Sequence, residues 1–335
     1  IGNDAMNGGT VVGNYNIAIG KSAGDAITSG YEHIAIGRDA GGAFTTGNNN
    51  VAIGTQALKQ ATAGSVMVAI GGYALNSVTT STAVNKTVAI GYYALQALTV
   101  GENNTALGYQ CLTANSAGDQ NTAVGNDCMM TYNPSDGDGH NTAVGHHALK
   151  SLATGTGNTV VGSTAADGLT GSDNVAIGFN ALGDASADVD RAVAIGVNAL
   201  AAADHANDDR TIAIGYDALA QYSSTDTENA TIAIGYRAGY TGTTGLRSSV
   251  AIGYQALYTA NNSFNHAIGY QSLLNTTGQS NIGLGYQAGA TITSGDENIA
   301  IGKGAMNGAN VTGDQNIAIG VDSGNALTSG TRNIF

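Results

Sequence analysis

Apolar and polar positions alternate over only a few residues at a time, and one short pattern returns from end to end of the chain. Its clearest form is Asn50-Val51-Ala52-Ile53-Gly54. β-Branched residues on either side of a central Ala suit a strand of about four residues. The motif glycine falls at positions 2, 20, 37, 54, 71, 91, 108, 125, 145, 162, 178, 196, 215, 235, 253, 269, 285, 302 and 320. These nineteen copies are spaced by 16 to 20 residues. The residue before the glycine is Ile, Val or Leu in every copy, and in the eighteen copies that show the position two before it, Ala stands there save at Val160 and Gly283.

A second apolar stretch begins three residues after the glycine, as in Ala57-Leu58, Ala74-Leu75, Ala94-Leu95, Ala148-Leu149 and Ala256-Leu257. It predicts a second short strand. A turn then closes the unit, most often as Gly-x-x-Asn: Gly101 to Asn104, Gly118 to Asn121, Gly171 to Asn174, Gly295 to Asn298 and Gly313 to Asn316. Gly and Asn are the residues that supply positive φ at a tight corner. A helical reading of Tyr92 to Leu98 is the alternative, but a glycine every 16 to 20 residues limits any helix to about two turns.

A unit this short cannot bury its own apolar residues, so copies must stack. The expected fold is all-β: a parallel β-solenoid of about nineteen coils, running as one array over residues 1–335 without a domain boundary. Ile19, Ile36 and Ile53, with Gly20, Gly37 and Gly54, are its structural positions. The small central Ala leaves room for close packing, which a bulkier residue would prevent.

Composition narrows the function. The chain has 50 Gly but 1 Pro and no third-residue glycine period, which excludes collagen. Lys and Arg total 11 and the net charge is −13, so a phosphate-neutralising nucleic-acid surface is not expected. No apolar run is long enough for a membrane-crossing helix, and no membrane insertion is expected. At 42% hydrophobic, the chain is too apolar to be disordered.

The pattern Asn-x-Ala-Ile-Gly followed by x-x-Ala-Leu resembles the head repeats of YadA-like trimeric autotransporter adhesins. Units such as Asn265-His266-Ala267-Ile268-Gly269-Tyr270-Gln271-Ser272-Leu273-Leu274-Asn275-Thr276-Thr277-Gly278 are similar to those of phage tail fibres. The resemblance covers the whole chain. It implies a left-handed β-roll with three chains side by side, and an adhesive or passive shaft role on a cell surface or virion. The adhesin heads use a shorter unit, so extra corner residues here must bulge outward. Within the 335 residues there is no coiled-coil stalk, membrane anchor or capping domain, so the family's attachment machinery is not carried over.

Both ends fall in mid-motif, at Ile1-Gly2 and Asn333-Ile334-Phe335, and joining them restores the repeat. A piece cut from a longer repeat protein explains this, and so does head-to-tail stacking into a filament. The expected partners are thus copies of the chain itself, with a cell-surface glycan or protein as receptor. The longer coils after Gly71, Gly125 and Gly215 are the expected receptor loops.

Candidate chemistry is sparse, and neither an enzyme nor a cofactor is expected. Cys111 and Cys128 each stand three residues after a motif glycine, where Ala is usual, and read as small core residues. A disulfide between stacked coils is the alternative. Asp136, Asp138 and His140 are weak metal-ligand candidates in the least regular segment, against the simpler reading of a solvated loop. His146 and His147, if on a strand, would face opposite ways.

Tyr216, Tyr236, Tyr254, Tyr270 and Tyr286 directly follow the motif glycine in consecutive coils and predict a ladder. The ladder reads as packing or as a glycan-binding stripe. Thr105, Thr122, Thr142 and Thr159 line up likewise and suggest a flat array for ice or glycan.

Overall fold

The computed structural model describes residues 2–79, 84–135, 137–183, 188–203, 209–222, 230–241 and 246–335. The chain forms two compact units, Ile1–Thr164 and Ala165–Phe335. Each is a parallel β-solenoid, and none of the described residues is helical. In the first unit, β1 (Ile17–Ile19), β2 (Ile34–Ile36), β3 (Val51–Ile53), β4 (Val68–Ile70), β5 (Val88–Ile90), β6 (Thr105–Leu107), β8 (Thr122–Val124), β10 (Thr142–Val144) and β11 (Thr159–Val161) are the motif strands. Two two-residue strands, β7 (Gly118–Asp119) and β9 (Gly137–Asp138), pair separately. The second unit holds β12 (Val175–Ile177), β13 (Val193–Ile195), β14 (Ile212–Ile214), β15 (Ile232–Ile234), β16 (Val250–Ile252), β17 (His266–Ile268), β18 (Ile282–Leu284), β19 (Ile299–Ile301) and β20 (Ile317–Ile319).

Register is set by the motif. Ile34 lies against Val51, Ala35 against Ala52 and Ile36 against Ile53, and the same match is kept through β14, β15 and β16. Because side chains alternate along a strand, the central Ala points in and its neighbours point out. Ala52, Ala69, Ala213 and Ala233 are fully buried, while the flanking residues are half-exposed. The interior wall opposite is built from Ala57, Leu58, Ala74 and Leu75 and their equivalents, also fully buried.

The second apolar stretch is not a strand. Gln56 and Leu58 have φ of 59° and 48°, and Tyr73 and Leu75 repeat this at 60° and 48°. Left-handed residues cannot join a β-ladder, yet the segment still bonds coil to coil. Gln56 N donates to Arg38 O at 2.8 Å, and Leu58 N donates to Ala74 O at 3.0 Å. The left-handed conformation costs about 1–2 kcal/mol per residue. Burying the Leu side chain, at about 1.5–3 kcal/mol, offsets it.

The Gly-x-x-Asn corners also work differently from the sequence expectation. Positive φ falls one residue before the Asn, at Asn103, Gln120, Asp173, Glu297 and Gln315, with values from 56° to 60°. Asn104, Asn121, Asn174, Asn298 and Asn316 are instead fully buried. Their amides form ladders: Asn298 N donates to Asn281 Oδ1 at 2.9 Å, and Asn316 N donates to Asn298 Oδ1 at 3.0 Å. Asn298 Nδ2 also donates to the corner carbonyl of Gly313 at 3.0 Å. A buried polar row of this kind satisfies the corner and fixes register at once.

Candidate functional site

The site residues sit where the in-register stacking of coils repeats one side chain along a face. Tyr216, Tyr236, Tyr254, Tyr270 and Tyr286 are such a row. Their ring centroids are 5.4, 5.0, 5.0 and 5.0 Å apart in succession, with planes within 9° of parallel. The rings are 37–48% exposed. Their faces are turned toward one another, as in offset stacking, so what they offer to solvent is ring edge and hydroxyl. Among the described residues none of the five hydroxyls is hydrogen-bonded. Among the described residues of the first unit, Tyr92 and Tyr109 form a single, wider stack at 6.2 Å.

A second row runs beside the tyrosines. Gln271 Nε2 donates to Gln255 Oε1 at 2.9 Å, and Gln287 Nε2 donates to Gln271 Oε1 at 2.9 Å. One coil earlier, Arg237 takes the same place. Its guanidinium lies 5.2 Å from the Tyr236 ring centroid and 5.1 Å from that of Tyr240, and its Nε donates to Asp217 Oδ2 at 3.1 Å. The recurring Gly-Tyr-Gln at Gly253, Gly269 and Gly285 is the sequence signal for this amide row.

The third row is apolar. The residue just before the motif glycine points outward in each unit: Leu107, Val144 and Val161 in the first, Ile177, Ile234, Ile268 and Leu284 in the second, are 36–43% exposed. The β-branched pattern made the strands legible, but only the pleat shows that the large residues face out and Ala faces in.

Thr105, Thr122, Thr142 and Thr159 stand at the first strand position of β6, β8, β10 and β11, in register with one another. Cys111 and Cys128 are buried free thiols, donating to Ala123 O at 3.2 Å and Ala143 O at 3.3 Å. The neighbouring Cys128 thiol and burial both push the Cys111 thiol well above its ordinary range. Such a group is a packing element rather than a nucleophile. Ile19, Ile36 and Ile53 are outward strand residues. Gly20, Gly37 and Gly54 take φ of 129° to 130° at the corner.

Of the metal candidates, Asp136 lies outside the described residues, Asp138 is in β9 and His140 is exposed with φ of 49°. Among the described residues no group of three potential ligands is close enough to hold a metal ion. His146 and His147 do not face opposite ways. They lie in the turn after Gly145, and left-handed His147 brings the rings into a stack at 3.8 Å. The loops after Gly71 and Gly215 fall mostly outside the described residues, at 80–83 and 223–229, and the one after Gly125 loses residue 136.

One buried group escaped the sequence reading. His33 occupies the ladder position held by Asn16 in the coil before and Asn50 in the coil after. It is fully buried and stacks on Phe44 at 4.5 Å, and neither ring nitrogen makes a hydrogen bond. Burial holds its pKa below the ordinary histidine value, against a smaller opposing pull from the Gly47 carbonyl.

No helix among the described residues is long and apolar enough to cross a membrane. The chain matches no model of a known protein family, and no curated protein is significantly similar to it.

Proposed function

We propose that the chain is a non-catalytic extracellular fibre or shaft segment, adhesin-like or tail-fibre-like, which packs side by side with copies of itself as a homotrimer and serves surface attachment. The observation that carries this reading is the outward row of Ile, Val and Leu, one per coil in each unit. Contiguous exposed apolar surface marks an interface, and a straight periodic row fits best against an identical periodic row. Corner carboxylates serve the structure: Asp190 Oδ1 accepts Ser172 N at 2.7 Å, and Asp314 Oδ1 accepts Asp296 N at 2.9 Å, each capping a corner of the previous coil. That use of carboxylates supports a passive scaffold over general acid–base chemistry.

The test is the mass of the native particle by light scattering, set beside its mass per length in electron micrographs. Three chains of 33.3 kDa per particle are expected. Ile234→Asp with Ile268→Asp should give single chains with an unchanged circular-dichroism spectrum, because both side chains point outward. A single-chain native particle would overturn the side-by-side assembly, and open-ended particles would favour a filament.

A further inference from the structure

We propose that the row Tyr216–Tyr236–Tyr254–Tyr270–Tyr286, with the amides of Gln255, Gln271 and Gln287 beside it, is a lengthwise binding site for a neutral, extended β-linked polysaccharide of the cellulose or chitin type. One sugar would lie against each coil. The inference supplies a ligand for the attachment role but does not depend on self-association.

Three features converge on that ligand. The first is the repeat. The rings recur once per coil, every 5.0 to 5.4 Å, close to the length of one sugar in a flat, extended β-linked chain. A polymer laid along the row stays in step with it, whereas a helical or branched glycan drifts out of step after a few units.

The second feature is the hydrogen-bonding chemistry. The ring faces are spent on one another, so the usual stacking of a sugar on an aromatic face is not what the row offers. Five hydroxyls without a partner among the described residues stand in line instead. Each of Gln271 and Gln287 gives one N–H to its neighbour and keeps a second. Hydroxyl and amide rows side by side match the equatorial hydroxyls along the edge of such a polymer. The stack also holds the rings in one orientation before binding, which lowers the ordering cost.

The third is charge. The chain carries −13 overall; Arg237 beside the row is paired with Asp217, and Lys303 takes the tyrosine position one coil beyond Tyr286, at the end of the row. Polyanionic glycans are repelled and neutral ones are not. The site also lies across the glycine corner from the apolar row: Gly235, with φ of 137°, turns the chain between Ile234 and Tyr236. The two rows are therefore distinct, separated by the glycine in each coil.

Co-sedimentation of the intact chain with microcrystalline cellulose and with chitin tests this. The chain should bind at least one of them. Tyr254→Phe with Tyr270→Phe keeps the stack and removes two hydroxyls, and should weaken binding roughly tenfold. Tyr92→Phe with Tyr109→Phe, outside the row, should bind as the unaltered chain does. Absence of binding to both polymers, binding by the first variant at the unaltered level, or equal loss in both variants would each overturn the site. Light scattering on the same samples reads assembly separately, so a lost ligand is distinguishable from a lost fibre.

Discussion

At the scale of single residues, the buried row before each strand decides most. Asn281 Oδ1 accepts Asn298 N at 2.9 Å while its Nδ2 donates to Gly295 O at 2.8 Å. Asn281→Ala strands a buried N–H and a buried carbonyl, and should cost roughly 2–4 kcal/mol in denaturant unfolding. His33 is the weak member of the equivalent row. Its folded pKa lies below the unfolded value of 6.5. Above that value both states are neutral and stability is full; as pH falls below it, the unfolded chain takes a proton that the folded chain resists. Stability is therefore lost on the acid side, until pH reaches the lowered folded pKa. His33→Asn should raise the unfolding midpoint at neutral pH and reduce the drop between neutral and mildly acid pH. An unchanged pH dependence in this variant would place the acid sensitivity elsewhere. Cys111 and Cys128 belong to the same scale: a thiol-reactive reagent should label neither in the folded chain and both on unfolding.

At the scale of the coil, the motif glycine has two reasons to be glycine. Gly54 has φ of 129°, and a Cβ there would lie 2.6 Å from the carbonyl oxygen of Gly71 in the next coil. Gly54→Ala should destabilise by on the order of 3 kcal/mol, combining backbone strain with overlap. Gly9→Ala, with its nearest neighbour 4.0 Å from the new Cβ, should be close to neutral by the same measurement. Coils also trade volume along the wall. Where Leu58 becomes Gly41 in the preceding coil, Phe44 fills the interior, and a Cβ at Gly41 would collide with its ring. Gly41→Ala together with Phe44→Ala should therefore recover part of what either change loses alone.

At the scale of the whole molecule, the net charge of −13 works against association of like chains, while the outward apolar rows favour it. Salt screens the first and leaves the second. Self-association should strengthen as ionic strength rises from about 0.01 M, where the Debye length is about 30 Å, to about 0.15 M, where it is about 8 Å. Analytical ultracentrifugation across that range reads the effect directly. Association that weakens with salt would mean that ion pairs, rather than apolar rows, hold the copies.

The period, the parallel solenoid and the positions of the motif strands were determined by the sequence alone, because a short repeat with one glycine and one small central residue admits few stackable conformations. The tyrosine row was legible for the same reason: equal spacing after the glycine becomes vertical alignment. Three things were decided only by the tertiary structure. The Ala-Leu stretch is left-handed rather than extended, since coil-to-coil bonding and Leu burial outweigh local preference. The corner Asn turns its side chain inward instead of supplying positive φ, because the buried carbonyl of the corner needs a donor. The tyrosines stack face to face, leaving edges and hydroxyls outward, and no spacing along a chain states how a ring is turned. Sequence periodicity fixes which residues align; packing against the next coil fixes which atoms they present.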